Sequence, residues 1–188
     1  VQEEIFSKGK LFELVHTTQP DGRIFELARR APGVRLIICD REKQMILLTK
    51  EFRQELKSWD YRLPGGKVFD SLEEYEVFRA SGRDILAAAA DKARAEAAEE
   101  AGVEVNGLTL FKKSTLGATV EWDLFIFEVG GWKQSKDGQQ LEMGEQIEAD
   151  NWVSFDEART MILSGAMQEE RVALTLLQWL NKEAGVKR

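Results

Sequence analysis

Histidine and cysteine are almost missing from this chain. One histidine, His16, and one cysteine, Cys39, occur in 188 residues. A disulfide framework needs paired cysteines and a thiolate metal site needs several, so both are excluded. A Ser-His-Asp triad or a histidine-rich zinc site has no support either, because His16 falls on a predicted strand and reads as structural. Cys39 ends the apolar run Val34-Arg35-Leu36-Ile37-Ile38-Cys39 and reads as a small core residue. Positive charge is also scarce. Lys and Arg number 26 against 33 Asp and Glu, a net charge of −7. Phosphate contacts along a nucleic acid need basic residues in excess, so a nucleic-acid partner is not expected. A phosphate substrate held through a metal is compatible with this balance. No apolar run reaches membrane-spanning length, and no signal-peptide pattern opens the chain. The expectation is a cytoplasmic protein with no membrane partner. Internal repeats are absent.

What is present suits a folded domain. Hydrophobic residues make up 43% and charged residues 31%, ordinary values for a globular protein. The length predicts one domain over 1–188, with 1–32 as N-terminal strands and 33–188 as the core. The densest feature is Ala95-Glu96-Ala97-Ala98-Glu99-Glu100-Ala101-Gly102-Val103. Alanine is the best helix former, and Gly102 stands where a C-cap needs positive φ. Asp84 to Ala101 therefore reads as one helix. Positions four apart share a face, so Glu96 and Glu100 point one way with Glu99 beside them. Two readings are open for these like charges: a solvated face, or a site for a hard divalent cation such as Mg²⁺ that prefers carboxylate oxygen.

The remaining chain alternates strands and helices. Lys10–Thr17 and Arg23–Arg30 flank Gln19-Pro20-Asp21-Gly22, a turn in which Pro presets φ and Gly supplies the positive φ; they read as a hairpin. Val34–Asp40 and Met45–Lys50 read as a second hairpin, the first strand buried on both faces. Ser71-x-x-Glu74 is a capping box opening a short helix to about Ala80. Leu108–Lys113 and Val120–Val129 are strands, the latter the longest predicted. Gly130–Asp150 reads as a long functional or disordered loop. A strand at Asn151–Val153, a helix capped by Ser154 and a last helix over Met167–Ala184 follow. This order predicts an α+β or layered α/β/α domain. Phe12, Phe25 and Trp122 could stack on a base, with core packing preferred for each.

Leu63-Pro64-Gly65-Gly66-Lys67 upstream and the glutamate run downstream together resemble the signature of the Nudix hydrolases. That signature sets Arg-Glu-hydrophobic-x-Glu-Glu-x-Gly-hydrophobic after a glycine and a spaced glutamate. Glu96, Ala97, Glu99, Glu100, Gly102 and Val103 match its second half. Two departures stand out. The motif arginine is Ala95, with Arg94 adjacent, and the glycine lies too far from the helix by roughly fifteen residues. The added segment, Phe69 to Arg83, brings Glu73, Glu74 and Glu76. The Pro-Asp-Gly-Arg hairpin, the Phe52-Arg53 pair, Trp152-Val153-Ser154 with Glu157, and Leu177-Gln178-Trp179-Leu180 resemble the ADP-ribose and nucleoside-diphosphate-sugar pyrophosphatase branch.

That resemblance implies a fold of mixed sheets between helices, and a metal-dependent hydrolase releasing a nucleoside monophosphate from a nucleoside diphosphate joined to another moiety. It implies Glu96 and Glu100 as metal ligands, Glu99 as ligand or orienting catalytic group, and the Gly65 carbonyl as a further ligand. It implies Mg²⁺, with Mn²⁺ as the alternative, and a homodimer built on the N-terminal strands. Arg53 and Gly66 would bind the diphosphate. Glu145, with Glu148 as runner-up, would be the loop carboxylate that acts as ligand or base. Arg62 stands where the branch often has glutamate. The proline that ADP-ribose enzymes carry beyond the box has no counterpart in Ser114–Thr119. Two rival functions stay open: a catalytically silent nucleotide- or protein-binding domain, and a pyrophosphatase for nucleoside triphosphates or dinucleoside polyphosphates.

Overall fold

The structure is a computed structural model describing residues 2–54, 56–141, 144 and 146–185, with the backbone alone at 149. Its strands are β1 (Gln2–Lys8), β2 (Phe12–Thr18), β3 (Ile24–Arg30), β4 (Gly33–Ile37), β5 (Cys39–Asp40), β6 (Met45–Arg53), β7 (Ser58–Arg62), β8 (Val103–Ser114), β9 (Val120–Glu121), β10 (Leu124–Gln134) and β11 (Ile147–Ser154). Its helices are α1 (Leu72–Ala80), α2 (Ile85–Ala101), α3 (Phe155–Leu163) and α4 (Glu170–Gly185). Among the described residues three sheets form, in the orders β1-β2-β3-β9, β4-β10-β8 and β11-β6-β5, with β7 on β6. This is the expected α+β class. Among the described residues no helix is long and apolar enough to cross a membrane.

The two inner sheets are sandwiched because successive residues of their strands serve opposite cores. Val34, Leu36, Ile38 and Leu47 pack with the buried stripe Ala89, Ala93, Ala97 and Ala101 of α2. Ile37, Cys39, Ile46 and Leu48 pack with Phe155 of α3 and Leu176, Trp179 and Leu180 of α4. Alternation of side chains across a strand makes both cores from one run. The alanines recur every fourth residue, so they also set how closely α2 lies on the sheets. Asp84 caps that helix, its Oδ1 accepting from the Leu86 N–H at 2.9 Å. Gly102 ends it at φ 63°.

Four expectations are corrected. Gly33–Ile37 does not pair in a hairpin with β6; it runs parallel to β10, and only Cys39–Asp40 pairs with Met45–Ile46. The chain changes sheet at Ile38, which periodicity cannot signal. Val120–Val129 is not one strand: Val120–Glu121 joins β3, and β10 begins at Leu124. The longest strand is β8. Residues 130–150 are not one loop, since β10 continues to Gln134 and β11 starts at Ile147. Phe12 and Phe25 are not core residues, being 45% and 51% exposed, because β2 and β3 belong to the outer sheet. The inserted segment folds as α1, with Ser71 as N-cap and Leu72 and Phe78 buried.

Candidate active site

The turn Pro64–Lys67 is stitched to β4. Val34 and Leu36 donate their N–H groups to the carbonyls of Gly66 and Pro64, both at 2.9 Å. Among the described residues the Gly65 carbonyl accepts no backbone hydrogen bond from β4. Both glycines are required by close approach. A Cβ on Gly65, whose φ is 137°, would collide with the Val34 carbonyl, and one on Gly66 would collide with the Glu96 carboxylate. Glu100 reaches the same turn from one helical turn further on, its Oε2 accepting from the Gly65 N–H at 2.7 Å. The helix and the glycine turn are thus joined through two carboxylates, as the i, i+4 spacing requires.

Burial shapes the electrostatics. It pushes the Glu100 carboxyl up to about 8, opposed by Arg35 and by the Gly65 N–H. It raises Glu96 as well, opposed by Lys92. Glu99 is more exposed. Lys92 sits between Glu96 and Glu99, with Nζ 3.1 Å from Glu96 Oε1 and 3.6 Å from Glu99 Oε2. Burial pulls Lys92 down, but these two carboxylates outweigh it and hold it above its ordinary value. Among the described residues no three acidic, histidine or cysteine side chains converge on one metal position. Glu96 and Glu99 turn to the ammonium and Glu100 to the backbone N–H. The donor set still fits a hard divalent cation: carboxylate oxygens beside a carbonyl, at a place where Lys92 shows positive charge to be held.

These groups line a cavity of about 410 Å³ together with Phe12, Arg30, Arg35, Arg53, Arg62 and Trp122. A larger hollow of about 630 Å³ beside α1 shares Lys92 and Asp70 with it but lacks the glycine turn, and its arginine is Arg83. The arginine wall was not foreseen beyond Arg53 and Arg62. Arg35, Arg62 and Arg171 face one carboxylate, Glu169, at 3.6, 3.2 and 3.7 Å. Arg62 also pairs with the fully buried Asp60 at 2.7 Å. Arg53 Nη1 donates to Glu51 Oε1 at 2.6 Å. Arg30 lies 4.9 Å from the Phe12 ring and 4.2 Å from the Trp122 ring, and it has no ion-pair partner among the described residues. Burial lowers its pKa. A guanidinium held by ring faces and short of a counter-ion is a ready receptor for phosphate oxygen.

Of the remaining candidates, Glu145 lies outside the described residues. Glu148 pairs with Lys50 at 3.0 Å and does not line the cavity. Glu74 accepts from the Asp70 N–H and Glu76 pairs with Lys8, so those insert glutamates serve α1 and its contact with β1. Lys92 was missed, although its i, i+4 relation to Glu96 was visible in the sequence.

Comparison with known proteins decides the family. The NUDIX domain model matches residues 29–176. The chain belongs to the Nudix family. Its fold is the Nudix fold, and the chain is a Nudix pyrophosphohydrolase, a hydrolase of nucleoside diphosphate derivatives. A solved structure described as an ADP compounds hydrolase superposes with a TM-score of 0.67 at 18% identity, covering 97% of this chain and 94% of that one. No curated protein matches the chain. The Nudix match spans the glycine turn, the inserted helix and the glutamate helix, so the insertion lies within the domain rather than beside it.

Proposed function

We propose that this Nudix enzyme hydrolyses the diphosphate of ADP-ribose or a nucleotide sugar, in a metal-dependent reaction that releases a nucleoside monophosphate and a phosphorylated second moiety. The observation that carries this reading is the seating of Glu96 and Glu100 against Gly65 and Gly66 in a cavity walled by arginines. The likeness to an ADP compounds hydrolase supports the substrate class. Glu96, Glu100 and the Gly65 carbonyl would hold Mg²⁺ or Mn²⁺, with Glu99 as ligand or orienting group. When bound, the cation neutralises phosphate oxygens, stabilises developing charge and lowers the pKa of an attacking water. Arg53 and Arg30 would grip the diphosphate, the planar forks matching its oxygens. Gly66, without a side chain, lets the Glu96 carboxylate lie against the turn, and it would bind the diphosphate through its backbone. Glu145 would accept the proton of the attacking water.

The enzyme is proposed to be a single domain over 1–188, cytoplasmic, and a homodimer through the outer sheet. The test is product identification from ADP-ribose, nucleotide sugars, dinucleoside polyphosphates and nucleoside triphosphates, with Mg²⁺, with Mn²⁺ and with excess chelator. Nucleoside monophosphate from ADP-ribose or a nucleotide sugar is expected. Turnover confined to triphosphates or dinucleoside polyphosphates would overturn the substrate class.

A further inference from the structure

The glutamate wall already holds a cation, and it is a side chain. Lys92 lies one turn before Glu96 on α2, and its ammonium bridges Glu96 and Glu99 at 3.1 and 3.6 Å. The signature's own cation, the arginine directly before the first glutamate, is Ala95 here. The adjacent Arg94 does not replace it, because it pairs with the exposed Asp91 at 2.9 Å. We infer that Lys92 is a positioning residue that occupies the metal seat in the free protein and competes with a divalent cation for Glu96 and Glu99. This rests on the metal reading above.

Lys92 and a divalent cation exclude one another from this position. An ammonium on those oxygens and a divalent cation on the same oxygens are like charges a few ångströms apart, so the two states are alternatives. Without metal, Lys92 relieves the repulsion between Glu96 and Glu99 and keeps the carboxylates in place. With metal, the flexible four-carbon stem must carry the ammonium away. Asp70 lines the same cavity and offers it another anion. The free protein then binds divalent cations weakly, and a cation that arrives bound to a diphosphate gains because the phosphates give the displaced lysine a partner.

The test is a Mn²⁺ titration of the free protein, followed by electron paramagnetic resonance and by calorimetry, in wild type, Lys92→Met and Lys92→Arg. Methionine keeps the stem and removes the charge. Lys92→Met should bind Mn²⁺ about tenfold more tightly, the scale of losing one or two partly buried ion pairs, and should melt at a lower temperature in chelator. Lys92→Arg should return binding to the wild-type range. Should the methionine variant fail to fold, the wild-type protein answers alone: saturating Mg²⁺ should shift the Lys92 side-chain ammonium resonance, and an unmoved resonance overturns the inference. If wild type binds Mn²⁺ and Lys92→Met binds it no more tightly, the inference falls and the metal reading stands. If neither protein binds Mn²⁺, both fall.

Discussion

Gly66 has no side chain because the Glu96 carboxylate fills the space one would need. Gly66→Ala should therefore displace the Glu96 carboxylate, the end of a flexible side chain, with little loss of stability while lowering kcat at least about tenfold. Thermal melting and steady-state kinetics on one preparation check both. Glu100 gives a pH prediction. Its carboxyl titrates near 8 in the folded protein, above its unfolded value, so the native state holds the proton more tightly. That stability is fully present below the unfolded pKa and is lost as pH rises through about 8. In chelator, the melting temperature of wild type should fall from pH 5 to pH 9, and Glu100→Gln should flatten the fall while abolishing most activity. A wild-type melting temperature that rose over that range would contradict the assignment. At this scale Glu96, Glu99 and Glu100 were legible because a helix turns spacing into a shared face. Arg30, Arg35 and Lys92 were not singled out, because which of many cations faces a cavity is decided by pairing between distant strands.

Helix α2 was the most legible element, since its alanines, its caps and its length all argue for one state. Strand β1 was not, because every residue of Gln2–Lys8 is exposed and no buried face imposes an alternating pattern. Residues 135–141, within the loop predicted for Gly130–Asp150, lie outside strands and helices, but their attachment was not legible. Gln140 donates its N–H to the Glu99 carbonyl at 2.8 Å. Gln139 Nε2 donates to the carbonyls of Glu100 and Ile147 at 2.8 and 3.1 Å. Gln139 and Gln140 are thus fastened to the C-terminal end of the glutamate helix, where orphan carbonyls need donors. Gln139→Ala should cost about 1–2 kcal/mol, the range for a lost hydrogen bond with an unsatisfied partner. It should also lower kcat by loosening the loop against the carboxylates. Denaturant unfolding and kinetics separate the two effects, and a stability loss with unchanged kcat would detach the loop from the chemistry.

The whole molecule divides into a buried sandwich and an outer sheet of β1, β2, β3 and β9. The outer sheet leaves Ile5, Phe6, Ile24 and Phe25 between 49% and 66% exposed. These exposed apolar side chains lie on both faces of the outer sheet, and their burial is what the proposed homodimer would gain. Sedimentation should show a dimer, and Phe25→Asp should shift it toward monomer while leaving the melting of the sandwich nearly unchanged. The carboxylates of α2 are proposed to drive a metal-dependent cleavage of a diphosphate. The most direct test is release of nucleoside monophosphate from ADP-ribose or a nucleotide sugar by wild type, Glu96→Gln and Glu100→Gln, each with Mg²⁺ and with excess chelator. Chelator should abolish release, and either substitution should lower it by about 10²–10⁴, the scale of losing electrostatic or acid–base assistance. Release that persists in chelator, or survives Glu100→Gln at the wild-type rate in a folded protein, would contradict this role of the carboxylates.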